Sequence, residues 1–77
     1  MEQGIKASAR LGKNIRKARK AKGLTQGLLA ARLQVIDCDL ALNSLTKIEL
    51  GMRHVSVKEL EALRKVLDMD YADFFKE

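Results

Sequence analysis

Proline and tryptophan are absent from this chain, and cysteine, histidine and tyrosine occur once each. With Cys38 alone, no internal disulfide is possible, so nothing covalent staples the fold. Cys38 and His54 are the only usual soft metal ligands, too few for a conventional zinc site. Cys-x-x-Cys, His-Glu-x-x-His, Gly-x-Gly-x-x-Gly and phosphate-loop patterns are missing, which removes the commoner metal, redox and nucleotide chemistries. A Cys38–His54 nucleophilic pair is formally available, but Cys38 reads better as a small apolar filler. No catalytic activity, metal or cofactor is expected, and no small-molecule ligand is evident. Long apolar runs are missing too. The longest, Leu28 to Ala31, is far too short to span a bilayer, and "MEQGIKASAR" lacks the apolar stretch of a secretory signal. A cytoplasmic protein with a reduced thiol and no membrane contact is expected.

Acidic residues are scarce in one part of the chain. Residues 1–27 hold Lys6, Arg10, Lys13, Arg16, Lys17, Arg19, Lys20 and Lys22 against the single acid Glu2. Residues 53–77 are nearly neutral, so the net charge of +5 is concentrated toward one end. Such a field attracts polyanions. A solvated helix face would carry the same charges, and composition leaves both readings open. The length of 77 residues allows one small domain. An apolar content of 47% argues for a folded core rather than disorder.

What is present is helical periodicity. Residues 1–8 read as a flexible lead-in, and residues 9–77 as the domain. Leu11, Ile15 and Ala18 recur at the spacing of one helix face, and Gly23 is placed to end that helix in a left-handed conformation. Thr25 is a plausible N-cap for a second helix over about 26–34, with Leu29, Ala30 and Leu33 facing inward. A third helix over about 40–50 has Asp37 or Asp39 near its cap, and Gly51 stops it. "SVKE", Ser56 to Glu59, is a capping box. It opens a fourth helix with Val57, Leu60, Leu63 and Leu67 as the buried stripe. Asp70 caps a short fifth helix carrying Tyr71, Phe74 and Phe75. No strand pattern is visible. The fold class is all-α, a compact bundle of five short helices.

The order of "LGKNIRKARKAKGLTQ", "LLAARL", "SLTKIELG" and "VKELEALRKVLDMDYADFF" resembles the lambda-repressor/Cro-type helix-turn-helix regulators over roughly residues 11–75. The resemblance implies a five-helix lambda-repressor-like domain with the helix-turn-helix in helices two and three. It implies double-stranded DNA as partner, with helix three in the major groove and helix two crossing the backbone. By position it assigns base reading to Leu42, Asn43, Ser44 and Lys47, and the polar side of helix three adds Thr46. It assigns backbone contacts to Gln26, Arg53 and His54, and the basic face of helix one adds Arg16 and Lys17. Arg19 and Glu49 match the family's ion pair joining helix one to helix three; two unrelated surface charges are the plainer alternative.

The chain departs from the pattern in two places. Twelve steps separate Leu33 from Leu45, where about seven are usual, so the turn is enlarged within "QVIDCDL". Helix two runs on through Val35, or Ile36 tucks under the loop. Leu42 occupies a place where the family often has a polar residue. It packs against thymine methyls or, the favoured expectation, against the enlarged turn.

Two functions follow. The first is a sequence-specific regulator, in family terms a repressor, binding a palindromic operator as a homodimer. With no separate oligomerisation segment in view, the dimer is expected to use the bundle itself, near Tyr71 and Phe75. The second is an antitoxin- or adaptor-like module that docks a partner through Leu28, Leu42, Leu50 and the "VIDC" turn. A basic helix one lying on a membrane is a poor third, because that helix is needed to close the bundle.

Overall fold

The computed structural model describes residues 4–5 and 9–77. Five helices follow in order: α1 (Ala9–Ala21), α2 (Gln26–Val35), α3 (Leu42–Glu49), α4 (Val57–Leu67) and α5 (Tyr71–Phe74). The all-α reading holds. One small addition escaped the sequence: β1 (Gly4–Ile5) pairs antiparallel with β2 (Val55–Ser56), matching Gly4 to Ser56 and Ile5 to Val55. Two residues per strand are too few to show a period-two pattern. Otherwise the expected lead-in over residues 1–8 lies outside the described residues. Among the described residues, no helix is long and apolar enough to cross a membrane.

The helices stop by a common device. Gly23, Asp37, Gly51 and Asp68 all take positive φ, at 71°, 63°, 74° and 55°. After α1, the Gly23 N–H donates to the Lys20 carbonyl and the Leu24 N–H to the Arg19 carbonyl. After α2, Asp37 donates to Gln34 and Cys38 to Leu33. After α3, Gly51 donates to Ile48 and Met52 to Lys47. These are paired Schellman bonds, which satisfy the last carbonyls of each helix. Aspartate tolerates the left-handed region better than most residues, so Asp37 serves where Gly23 and Gly51 serve elsewhere.

The helices also start alike. Leu24 and Leu29, Leu40 and Leu45, Val55 and Leu60, and Met69 and Phe74 are all buried in one core cluster. Each pair flanks an N-cap, at Thr25, Ala41, Ser56 and Asp70. One apolar residue stands just before the cap and its partner at the fourth helical position. That is the placement of a hydrophobic staple, which sets the angle at which the chain enters a helix. The Thr25 hydroxyl accepts from the Leu28 N–H at 3.1 Å. Ser56 and Glu59 exchange both bonds of the capping box at 3.0 Å.

Two expectations need correction. Val57 is 56% exposed; it follows the cap Ser56 directly, and Val55 takes the inward place. Ala62 joins Leu60, Leu63 and Leu67 on the buried face of α4. Neither Asp37 nor Asp39 caps α3: Asp37 is spent in the stop of α2, and the N-cap is Ala41, with no side-chain bond to offer. Of the two alternatives for the end of α2, the first holds: the helix runs through Val35, and Ile36 is its exposed C-cap.

Candidate nucleic-acid interface

The sequence of α3 sorts itself into two faces. Leu45 and Ile48 are fully buried and Glu49 is nearly so, whereas Asn43 and Lys47 are exposed. Spacing of three and four residues puts the apolar groups inward and leaves the polar ones outside. α3 packs on both α1 and α2. Its approach to α1 is close: a Cβ on Gly12 would lie 2.4 Å from the Ile48 carbonyl oxygen and 2.5 Å from that of Glu49. Only glycine lets the two backbones come so near.

A polar network then fixes the helix about its axis. Arg19 Nε donates to Glu49 Oε2 at 2.7 Å and Nη2 to Oε1 at 3.0 Å. Arg19 Nη1 donates to the Leu24 carbonyl at 2.8 Å. Both residues are 8% exposed. The hydrogen bonds that Arg19 donates to Glu49 outweigh the desolvation penalty and raise the guanidinium pKa above its already high ordinary value. The Gln26 Nε2 donates to Glu49 Oε1 at 3.1 Å, and the Thr46 Oγ1 donates to Gln26 Oε1 at 2.9 Å. Thr46 Oγ1 also lies 3.1 Å from the Leu42 carbonyl. Arg19 on α1, Gln26 on α2, and Glu49 and Thr46 on α3 therefore form one chain of bonds. Buried ion pairs contribute little net stability against well-packed apolar groups. What this one supplies is a fixed orientation of α3 against α1 and α2.

The remaining site residues divide. Arg16 is exposed and lies four residues from Gly12 and three from Arg19, so it shares the side of α1 that meets α3. Lys17 lies elsewhere: it lines a groove with Asn14, Leu67, Asp68 and Lys76, beside the end of α4 and the last residues of the chain. Asn14 helps close that side, donating to the Phe74 and Lys76 carbonyls at 2.8 and 2.7 Å. Arg53 forks onto Glu59, Nη1 to Oε1 and Nη2 to Oε2, each at 3.0 Å. Burial pushes the Glu59 carboxyl up, but the Arg53 fork and the Ser56 amide hold it below the ordinary range. Arg53 thus braces the loop after α3. His54 is exposed in the same loop, and Ser44 is half-buried in the first turn of α3.

Leu42 is 51% exposed at the first position of α3. Within the enlarged turn itself, Cys38 and Leu40 are buried. Cys38 is the apolar filler its sequence suggested, and burial pushes its thiol pKa up. Two functional positions were missed. Gly12 carried a signal, since a glycine inside a helix costs about 1 kcal/mol and invites a packing reason. Leu40 carried one too, as the apolar residue before a cap.

A family profile described as helix-turn-helix matches residues 15–74. The chain is a lambda-repressor/Cro-type helix-turn-helix protein. Members of this family are DNA-binding regulators of transcription. Two solved structures of helix-turn-helix proteins resemble it closely. One is the restriction-modification controller protein C.AhdI from Aeromonas hydrophila, 30% identical with a TM-score of 0.75 over 87% of this chain and 94% of that one. The other is a point mutant of the restriction-modification controller protein C.Esp1396I. It is 29% identical, with a TM-score of 0.72 over 97% of this helix-turn-helix chain and 86% of the other. No curated protein sequence matches significantly.

Proposed function

We propose that this helix-turn-helix protein is a sequence-specific repressor that binds a palindromic duplex site as a homodimer. The observation that carries the reading is the outer face of α3. Asn43 and Lys47 stand exposed there while Arg19, Glu49, Gln26 and Thr46 lock the helix behind them. A reading helix must hold its side chains at a set angle to the groove, and this one is held from two neighbouring helices. Asparagine pairs with adenine and lysine with guanine in the major groove. Arg16 contacts a phosphate beside them, with His54 after the helix; Lys17, on the groove side, adds only to the general field. A dimer uses the half-exposed rings of Tyr71 and Phe75, which flank the buried Phe74. Likeness to two restriction-modification controllers supports control of a restriction-modification system as the narrower role.

The test is selection from a randomised duplex pool at about 150 mM salt, where non-specific phosphate contacts are already screened. An enriched palindrome is the expected result. Asn43→Ala and Lys47→Ala should each lower discrimination between that site and random DNA. Arg16→Ala should weaken both alike and flatten the salt dependence by about one unit of slope. No enrichment from folded protein would overturn the reading and point to protein docking through Leu28, Leu42 and Leu50, all of which are exposed.

A further inference from the structure

The first and fifth positions of α3 carry side chains with no free hydrogen-bond donor to offer outward. Leu42 has no polar group, and half its surface is open. Thr46 has one hydroxyl proton, and that hydroxyl is aimed at two acceptors inside the protein, Gln26 Oε1 at 2.9 Å and the Leu42 carbonyl at 3.1 Å. No donor is left on Thr46 for a base acceptor. Its methyl group is the part not held by the network. Gln26 is committed at both ends of its amide, accepting from Thr46 and donating to Glu49. Leu42 and Thr46 are four residues apart and share one side of the helix. Leu42 opens the N-terminal turn of the reading helix, the part that meets base edges in this docking geometry, and Thr46 stands one turn further on.

Base edges in the major groove offer one apolar group, the C5 methyl of thymine. We propose that Leu42 and Thr46 together read thymine methyl groups, next to the base that Asn43 reads by hydrogen bonding. The proposal rests on the DNA-reading function above and deepens it by naming what part of the operator is recognised without hydrogen bonds. It makes Leu42 a specificity residue and Thr46 a methyl contact whose hydroxyl does structural work.

Replacing single thymines of the selected site by deoxyuridine isolates this contact, because uracil lacks the methyl and keeps every hydrogen-bonding group. Binding would be followed by fluorescence anisotropy with the full chain and a labelled duplex. One thymine per half-site should show a loss of about fourfold on conversion to uracil, the factor expected when a methyl-sized group is no longer buried. In L42A that penalty should disappear, and L42M should restore it. T46S keeps the hydroxyl network and removes only the methyl, so it should reduce the uracil penalty without altering the melting temperature. A uracil penalty of full size in both L42A and T46S would overturn the proposal. So would a selected half-site that tolerates uracil everywhere or contains no thymine. Failure to select any site defeats the DNA-reading function itself, an outcome distinct from a selected site that ignores the thymine methyl.

Discussion

The turn into α2 and the turn into α3 use the same signals at different spacings. Between α1 and α2, Leu24 does two things at once. It is the apolar residue behind the Gly23 stop, and it is the residue before the Thr25 cap. Between α2 and α3 those roles fall to separate residues. Cys38 follows the Asp37 stop, Leu40 precedes the Ala41 cap, and Asp39 stands between them. The enlarged turn is therefore a helix stop and a helix start set apart, each anchored by its own buried side chain. It differs in one more respect: Thr25 caps with its hydroxyl, whereas Ala41 has none. The first turn of α3 thus has no side-chain cap, while its far end is tied by Glu49.

The largest effect should come from a residue that serves both regions. Arg19 donates to the Leu24 carbonyl in the first turn and forks onto Glu49 at the far end of α3. Glu49→Ala leaves that guanidinium buried without its carboxylate, and should cost about 3–5 kcal/mol. Urea unfolding measures it. Replacing Arg19 and Glu49 together by methionine should recover most of the loss, while DNA discrimination stays impaired because Gln26 has lost an acceptor. Equal loss in the single and double variants would show that the pair acts through something other than an orphaned charge.

Leu24→Ala and Leu40→Ala test the spacing directly. Each removes a buried leucine, and such changes cost about 2–5 kcal/mol. Leu24→Ala should lie toward the upper end because both roles vanish together. Leu40→Ala should lie toward the lower end because Cys38 still closes the stop of α2. Val35→Ser, in the same turn but 82% exposed, should stay within about 0.5 kcal/mol of the parent. A Leu40→Ala variant as damaged as Leu24→Ala would mean that the two anchors of the second turn are not independent.

Much of this was legible from residue order. Gly23, Gly51, Thr25 and the Ser56–Glu59 box are local signals, and local signals survive into the fold. Helix faces followed from spacing, except at Val57, where proximity to a cap overrides the stripe. Asp37 misled because aspartate before a helix suggests a cap, and its left-handed φ shows only in three dimensions. The outer face of α3 was legible too, since exposure of Asn43 and Lys47 follows from burial of Leu45 and Ile48. The commitments of its neighbours were not. That Thr46 and Gln26 bond each other, and that Arg53 is held by Glu59, depends on distances between segments far apart in sequence.

The caps offer a smaller and reciprocal pair of changes. Thr25→Ala should cost about 1 kcal/mol by orphaning the Leu28 amide. Ala41→Ser should gain about as much, because Ala41 already has φ −66° and ψ 156°, close to the −70° and 161° of the Ser56 cap. The gain should appear in the melting temperature and as slower amide exchange at Ser44, the third helical position. If Ala41→Ser changes neither, the backbone there is not free to accept a cap, and packing of Leu40 has set it too far from the ideal angle.

The subtlest difference between the turns is chemical. Leu24 cannot ionise, but Cys38, its counterpart behind the second stop, can. Burial raises the Cys38 thiol pKa in the folded chain, so folding favours the neutral thiol. A group whose pKa is raised by folding gives its full stabilisation below its unfolded pKa, about 8.5 for a thiol. That contribution is lost as the pH climbs from there through the folded value, because the unfolded chain releases its proton first. The second turn alone should therefore weaken in mild alkali. Comparing urea midpoints of the parent and Cys38→Ala at pH 7 and pH 10 tests this. The variant should start lower, from its lost packing, and fall less between the two. Parallel declines would assign the alkaline loss to other groups and leave the two turns alike in their response to pH.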